Sequence, residues 1–112
     1  MIKGLGTDII EIDRINQANK NDRLANRILS EIEFNNYNNI KSNRRKLEFL
    51  AGRFAGKEAY AKAVGTGIGK LNFKHIEILN EDNGKPYING RSALISISHS
   101  KMYATATVII ID

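Results

Sequence analysis

The sequence predicts an α+β fold in a single domain spanning residues 1–112: one long buried helix plus shorter helices packed on a mainly antiparallel sheet. Three observations carry that prediction. An alternating apolar segment opens the chain, an unbroken helical pattern fills its middle, and the C-terminal third divides into short β-rich runs punctuated by turn residues.

The opening segment, Ile2 to Ile12, alternates as a strand does, with Ile2, Asp8, Ile10 and Ile12 sharing one parity. The Asp8 carboxylate therefore falls on the apolar face, while Gly4 and Gly6 permit close approach by a neighbouring element or a ligand. From Asp13 to about Asn36 the pattern becomes helical and polar, in two or three short pieces. Ser30 with Glu33 reads as a capping box there, and Asn35 to Asn39 as a loop. Ser42 suits the N-cap of the long helix, which runs to Val64 and stops at Gly65. Gly52 and Gly56 lie inside it, each costing roughly 1 kcal/mol relative to alanine in an exposed helix. Close packing or close ligand approach accounts for such residues.

Beyond the helix, Phe73 to Leu79 reads as a strand and Glu81-Asp82-Asn83-Gly84 as a hairpin turn. Tyr87-Ile88 forms a short strand before a second turn at Asn89-Gly90. Leu94 to Ser98 and Tyr103 to Ile111 complete the set. The last ends in Val108-Ile109-Ile110-Ile111, apolar on both faces, which fits either burial against another subunit or a central strand.

With no cysteine, the chain has neither disulfides nor thiolate metal sites. Asp8 and then Asp13-Arg14 interrupt the N-terminal apolar stretch, so neither a signal peptide nor a membrane span is expected, and a cytoplasmic location is the default. A net charge of +5 favours anionic partners. The basic residues are dispersed except at Arg44-Arg45-Lys46, and no interleaved aromatic and cationic pattern marks an RNA-binding platform; nucleic acid is not the expected partner.

The chemistry concentrates in the long helix. Leu47, Leu50, Ala51, Phe54, Glu58, Ala61 and Lys62 fall on one stripe, with Glu58 and Lys62 one turn apart. Two readings are open: an i,i+4 surface ion pair worth a few tenths of a kcal/mol, or a site. Asp8 bears on the choice. It either caps locally or faces Glu58, and two carboxylates on apolar faces repel unless a cation lies between them. A hard divalent ion such as Mg²⁺ is the natural occupant. Lys62 beside it can neutralise a phosphate, and Arg45 and Arg53, about 80° apart on the helix, add cationic groups. His99, flanked by Ser98 and Ser100 at a strand end, can contact a phosphate. Gly65-Thr66-Gly67-Ile68-Gly69-Lys70 lacks the spacing of a phosphate-binding loop and reads as a helix stop and turn.

Five motifs in order, Gly6-Thr7-Asp8-Ile9-Ile10-Glu11-Ile12, Gly52-Arg53-Phe54-Ala55-Gly56-Lys57-Glu58-Ala59 with Lys62-Ala63, Gly65-Thr66-Gly67, Asn83-Gly84-Lys85-Pro86 and Ser96-Ile97-Ser98-His99-Ser100, resemble the bacterial holo-acyl-carrier-protein synthases, the small trimeric class of phosphopantetheinyl transferases. The resemblance implies the 4'-phosphopantetheinyl transferase fold and the transfer of 4'-phosphopantetheine from coenzyme A to a serine of apo acyl carrier protein. It implies Asp8 and Glu58 as Mg²⁺ ligands, Lys62 at the pyrophosphate, Arg45, Arg53 and His99 facing the 3'-phosphate, and Asn83, Gly84, Lys85 and Pro86 lining the adenosine end. It further implies a homotrimer with coenzyme A between subunits. The acidic carrier would dock on the first helix near Arg14, with Arg23 and Arg27 as further candidates.

Overall fold

The computed structural model describes residues 1–65 and 72–111. β1 (Ile2–Glu11) leads directly into α1 (Ile12–Ala18); a 3₁₀ turn at Lys20–Asp22, α2 (Arg23–Ile28) and α3 (Glu31–Asn39) follow, then α4 (Asn43–Val64). A 3₁₀ turn at Phe73–His75 precedes β2 (Ile78–Asn80), β3 (Pro86–Ile88), β4 (Ala93–His99) and β5 (Tyr103–Ile111). The strands form an antiparallel sheet in the order β1-β5-β4 and a separate β2-β3 hairpin.

α4 takes the predicted bounds for the predicted reasons. Ser42 accepts from the Arg45 amide, and Gly65 ends the helix at φ +87°. Ser30 and Glu33 form the expected capping box on α3. Two expectations fail. Residues 35–39 are not a loop but the last turn and a half of α3, because Tyr37 is buried there. Its hydroxyl donates to Asp22 Oδ1 (2.8 Å) and accepts from Asn19 Nδ2 (2.9 Å), so tertiary anchoring overrides the weak helix propensity of asparagine. Phe73 to Leu79 is not one strand. Asn72 caps a 3₁₀ turn by accepting from the Lys74 amide, Phe73 packs edge-on against Phe54, and only Ile78–Asn80 is extended.

α4 lies across the inner face of the main sheet. One core cluster, with Ile12, Ile15, Leu24, Ile28, Tyr37 and Leu50, fills the space under the short helices. The other, with Ala55, Ala59, Ile76, Ile78, Ala106 and Val108, fills the space between α4 and the strands. Small residues let the layers come close. A Cβ on Gly6 would sit 2.0 Å from the Ala59 carbonyl oxygen, and one on Gly4 2.1 Å from that of Ala63. Gly56 faces Ile78 and Ile95 in the same way, and Gly52 faces Ile97. The expected close packing therefore explains these glycines, and it sets Asp8, two residues beyond Gly6, on the helix-facing side of β1. Ile2 departs from the expected parity: a register irregularity between Ile2 and Gly4 leaves it exposed.

β5 is the central strand. Ala104, Ala106 and Val108 are buried under α4, while Thr105, Thr107 and Ile109 point to the other face. The rows Leu5–Ile109–Leu94, Thr7–Thr107–Ser96 and Ile9–Thr105–Ser98 cross that face without one charged side chain. Leu5 and Ile9 are 65% and 63% exposed there.

Substituting Gly6→Ala forces backbone separation of β1 from α4. The expected cost is about 1–3 kcal/mol or more, measured as a lower midpoint of chemical denaturation with an unchanged slope; an unchanged midpoint contradicts the packing.

Candidate active site

The sequence-predicted residues fall into two groups at opposite edges of the sheet. The first stands where β1 meets the C-terminal half of α4. Lys62 reaches across to β1: its Nζ donates to Asp8 Oδ1 and to the Thr7 carbonyl, both at 3.1 Å, with the lysine side chain 56% exposed and that of Asp8 16%. Glu58, half-buried one turn before Lys62, has its proton affinity raised, first by desolvation and then by the charge on Asp8, with Lys62 opposing. Two carboxylates compete for one cation here, and the lysine available to them is tethered to only one. Among the described residues no third His, Cys, Asp or Glu joins them. Hard oxygen donors in that number suit Mg²⁺, which takes one or two carboxylates and fills its remaining positions with water and phosphate oxygens. The residues present fit such an ion.

The second group lines a cavity of about 420 Å³ between α4, the β2-β3 hairpin and β4. Arg45, Arg53, Gly84, Pro86 and His99 line it as expected, together with Asn80 and Glu48, which the sequence reading did not single out. Arg53 is 6% exposed, stacks on the Phe49 ring at 4.2 Å and donates to Asn80 Oδ1, while its buried Nε has no partner among the described residues. Burial pulls its guanidinium down to about 10, against the field of Glu33. A desolvated cation with an unsatisfied donor is ready for an anion. Arg45 is exposed; His99 Nδ1 lies 3.7 Å from Glu48 Oε2, which also accepts from Arg44 Nε. Asn83 and Lys85 do not line the cavity. Asn83 Oδ1 instead accepts from the Lys85 amide, and Gly84 adopts φ +91°, so these residues shape the turn that presents Gly84 and Pro86. The Gly65 to Lys70 motif lies outside the described residues beyond Gly65 itself.

These groups share a helix but not a face. Arg45 and Arg53 are each about 140° around α4 from Glu58 at 100° per residue. Asp8, Ala106 and Ile97 form one row across the sheet, so the carboxylates leave from the β1 edge and the cavity opens at the β4 edge.

A third feature escaped the sequence reading. Lys57, beside Glu58, is fully buried against fully buried Glu33 at 2.6 Å. The fully buried charge of α4 is thus Lys57, neither Glu58 nor Lys62, and its acid comes from α3. Near α1, a groove of about 510 Å³ is lined by Ile9, Ile15, Leu24, Phe54 and Tyr103, with Arg14 and Arg27 at its rim; Arg23 is not among its lining residues.

An α+β protein that pairs a strand carboxylate with a helix carboxylate, and lines a cavity with arginines from the same helix, has the donor groups of an anion-binding protein. The chain belongs to the 4'-phosphopantetheinyl transferase superfamily, whose family model matches residues 4–108. It is 55% identical over 98% of its length to a holo-[acyl-carrier-protein] synthase of a Geobacillus species, covering 97% of that protein. A crystal structure of the Bacillus anthracis holo-(acyl-carrier-protein) synthase in complex with CoA (3',5'-ADP) matches with a TM-score of 0.87 at 50% identity, covering 97% of this chain and 96% of that one. The Helicobacter pylori holo-[acyl-carrier-protein] synthase in complex with coenzyme A matches with a TM-score of 0.79 at 31% identity, covering 96% and 99%.

Because the proton affinity of Glu58 is raised in the folded chain, the group disfavours folding once ionised. Its penalty is absent below the ordinary carboxylate range and grows as pH rises through the elevated value. With a chelator present, Glu58→Gln is expected to match the parent protein in denaturation midpoint at low pH and to exceed it near pH 7. A variant that loses stability relative to the parent as pH rises contradicts this electrostatic picture.

Proposed function

We propose that this protein transfers the 4'-phosphopantetheine arm of coenzyme A to a serine hydroxyl of apo acyl carrier protein, with Mg²⁺ at Asp8 and Glu58, in support of fatty acid biosynthesis in the cytoplasm. The observation that carries the reading is the Asp8–Glu58 juxtaposition with Lys62 at its rim, on the same helix as a desolvated arginine cavity. Kinship with holo-[acyl-carrier-protein] synthases supplies the substrate pair.

In the reaction the serine oxygen forms a bond to the phosphorus that carries the pantetheine arm. The pyrophosphate P–O bond breaks, adenosine 3',5'-bisphosphate departs, and the hydroxyl proton passes to a carboxylate or a water at the site. Mg²⁺, when bound, supplies charge neutralisation at the pyrophosphate. The residues of this chain provide orientation and further charge. Asp8 and Glu58 hold the metal end, and the Lys62 ammonium lies where negative charge builds on the leaving group. Arg45, Arg53 and His99 bind the 3'-phosphate, and Gly84 and Pro86 bound the adenosine end. The acidic carrier docks along the apolar groove by α1, where Arg14 and Arg27 offer charge to its surface.

Since the cavity and the carboxylates open at opposite sheet edges, coenzyme A bridges two copies of the chain. The three uncharged rows at the centre of the outer sheet face support a homotrimer in which the β1 edge of one copy meets the β4 edge of the next. Such a face needs a cover, and rows of Leu, Ile, Thr and Ser are suited to sheet packing.

Apo acyl carrier protein incubated with this protein, coenzyme A and Mg²⁺ should gain the mass of one phosphopantetheine. Asp8→Ala and Glu58→Ala should each lower that rate by at least about a hundredfold while unfolding cooperatively. Phosphopantetheine released without a carrier would instead indicate a hydrolase, and no mass gain with a competent carrier would overturn the reading.

A further inference from the structure

Between Leu50 and Val64, α4 presents an unusually smooth surface. Ala51, Gly52, Ala55, Gly56, Ala59, Ala61 and Ala63 recur along it, all of them buried, with Leu50 and Tyr60 the larger apolar side chains buried among them. Small side chains bring layers close, but they interdigitate poorly. A helix of this kind has weak steric resistance to rotating about its axis or sliding along it, because ridges of alanine and glycine offer shallow grooves. The site tolerates neither movement. Glu58 must face Asp8, and Arg53 must face Asn80 and the cavity from another side of the same helix.

The one long polar side chain sunk fully into the protein from this stretch is Lys57. Its Nζ donates to Glu33 Oε1 (2.6 Å), to the Phe73 carbonyl (2.7 Å) and to the Ile28 carbonyl (2.8 Å), which uses all three ammonium donors. Glu33 is equally committed. It accepts from the Ser30 amide through Oε1 and from the Ile78 amide through Oε2, both at 2.8 Å. One pair thus ties α4 to the end of α2, the start of α3, the 3₁₀ turn and β2. Two residues beyond Ile78 on β2 stands Asn80, the partner of Arg53.

We propose that the Glu33–Lys57 pair is a positioning device for the reaction: it pins the rotation and axial register of α4, and so aligns Glu58, its neighbour, with Asp8, and Arg53, one turn earlier, with Asn80. The pair touches no substrate. Directional hydrogen bonds on a buried charge set register where smooth packing does not, the best-attested use of buried polar groups. The strand hydrogen-bonded to the pair carries the cavity wall, so both halves of the site respond to it together. Removing one partner alone strands a buried charge, which can confound a kinetic effect with unfolding. The informative variant is therefore the double one, Glu33→Gln with Lys57→Met, which removes both charges, conserves volume and leaves an amide to meet the Ser30 or Ile78 backbone.

This inference rests on the transferase reading for its kinetic arm and is independent of it for its binding arm. The double variant should retain cooperative unfolding. Its affinity for adenosine 3',5'-bisphosphate should fall about tenfold, its apparent affinity for Mg²⁺ should fall in parallel, and kcat should fall with them, while KM for the carrier protein stays near that of the parent. Glu33→Gln alone leaves Lys57 with two carbonyls and is read only where its unfolding stays cooperative above the assay temperature; there it should show the same pattern at about threefold. A folded single or double variant with parental bisphosphate and Mg²⁺ affinities overturns the proposal, since a purely structural pair would alter only the denaturation midpoint. If the parent protein binds both ligands but modifies no carrier, the functional reading fails, and the two affinities still decide the fate of the pin.

Discussion

The constraint on which the site depends is the distance between β1 and α4. Gly4 and Gly6 bring the strand backbone against the carbonyls of Ala63 and Ala59, closer than any side chain on those glycines would allow. A carboxylate two residues beyond Gly6 then faces the turn of α4 that carries Glu58 and Lys62. At a wider separation Asp8 and Glu58 would each be hydrated and screened from the other by solvent and salt. At this separation the charge on Asp8 adds to burial in raising the proton affinity of Glu58, and Lys62 bonds to β1 through Asp8 and the Thr7 carbonyl. Close packing thus creates an electrostatic demand that the proposed divalent cation would answer.

The same thin helix explains why the site is divided. α4 is covered on most sides, so groups that must meet a large ligand leave it where the cover ends, at the two sheet edges. Each chain presents one group at each edge, with the rows of Leu, Ile, Thr and Ser between them. In the proposed trimer, assembly about a threefold axis would cover those rows and join the two groups. A ligand shared across that interface would make catalysis conditional on assembly and leave the α1 groove on the outside.

The sequence made the fold legible where local rules agree with tertiary ones. Ser42 and Gly65 cap α4 as their chemistry demands, Ser30 and Glu33 form their box, and the glycines of β1 and α4 signal close approach. It was silent where tertiary contacts decide. Tyr37 extends α3 through an asparagine-rich stretch because its hydroxyl reaches Asp22, twelve or more residues away in sequence, and the run from Phe73 curls into a 3₁₀ turn whose carbonyl serves Lys57. For the site, Asp8, Glu58 and Lys62 were recognisable because charges stood on otherwise apolar stripes, and the structure brings the three together. Lys57 was not, since it lies next to Glu58 and only the partner from α3 shows that it is buried. Asn80 and Glu48 carried no pattern at all; their place in the cavity wall follows from the fold of the hairpin and the helix.

The central claim, that one copy supplies the carboxylates and the next the cationic cavity, is tested most directly by mixing two inactive variants. Asp8→Ala and Arg53→Ala proteins, each inactive alone, are dissociated, combined in equal amounts and reassociated, and the rate of carrier-protein modification is measured. Random reassortment in a cyclic trimer leaves one intact site in each mixed assembly, about a quarter of parental activity. A mixture as inactive as its components would mean that each site is built within a single chain, and would contradict the account.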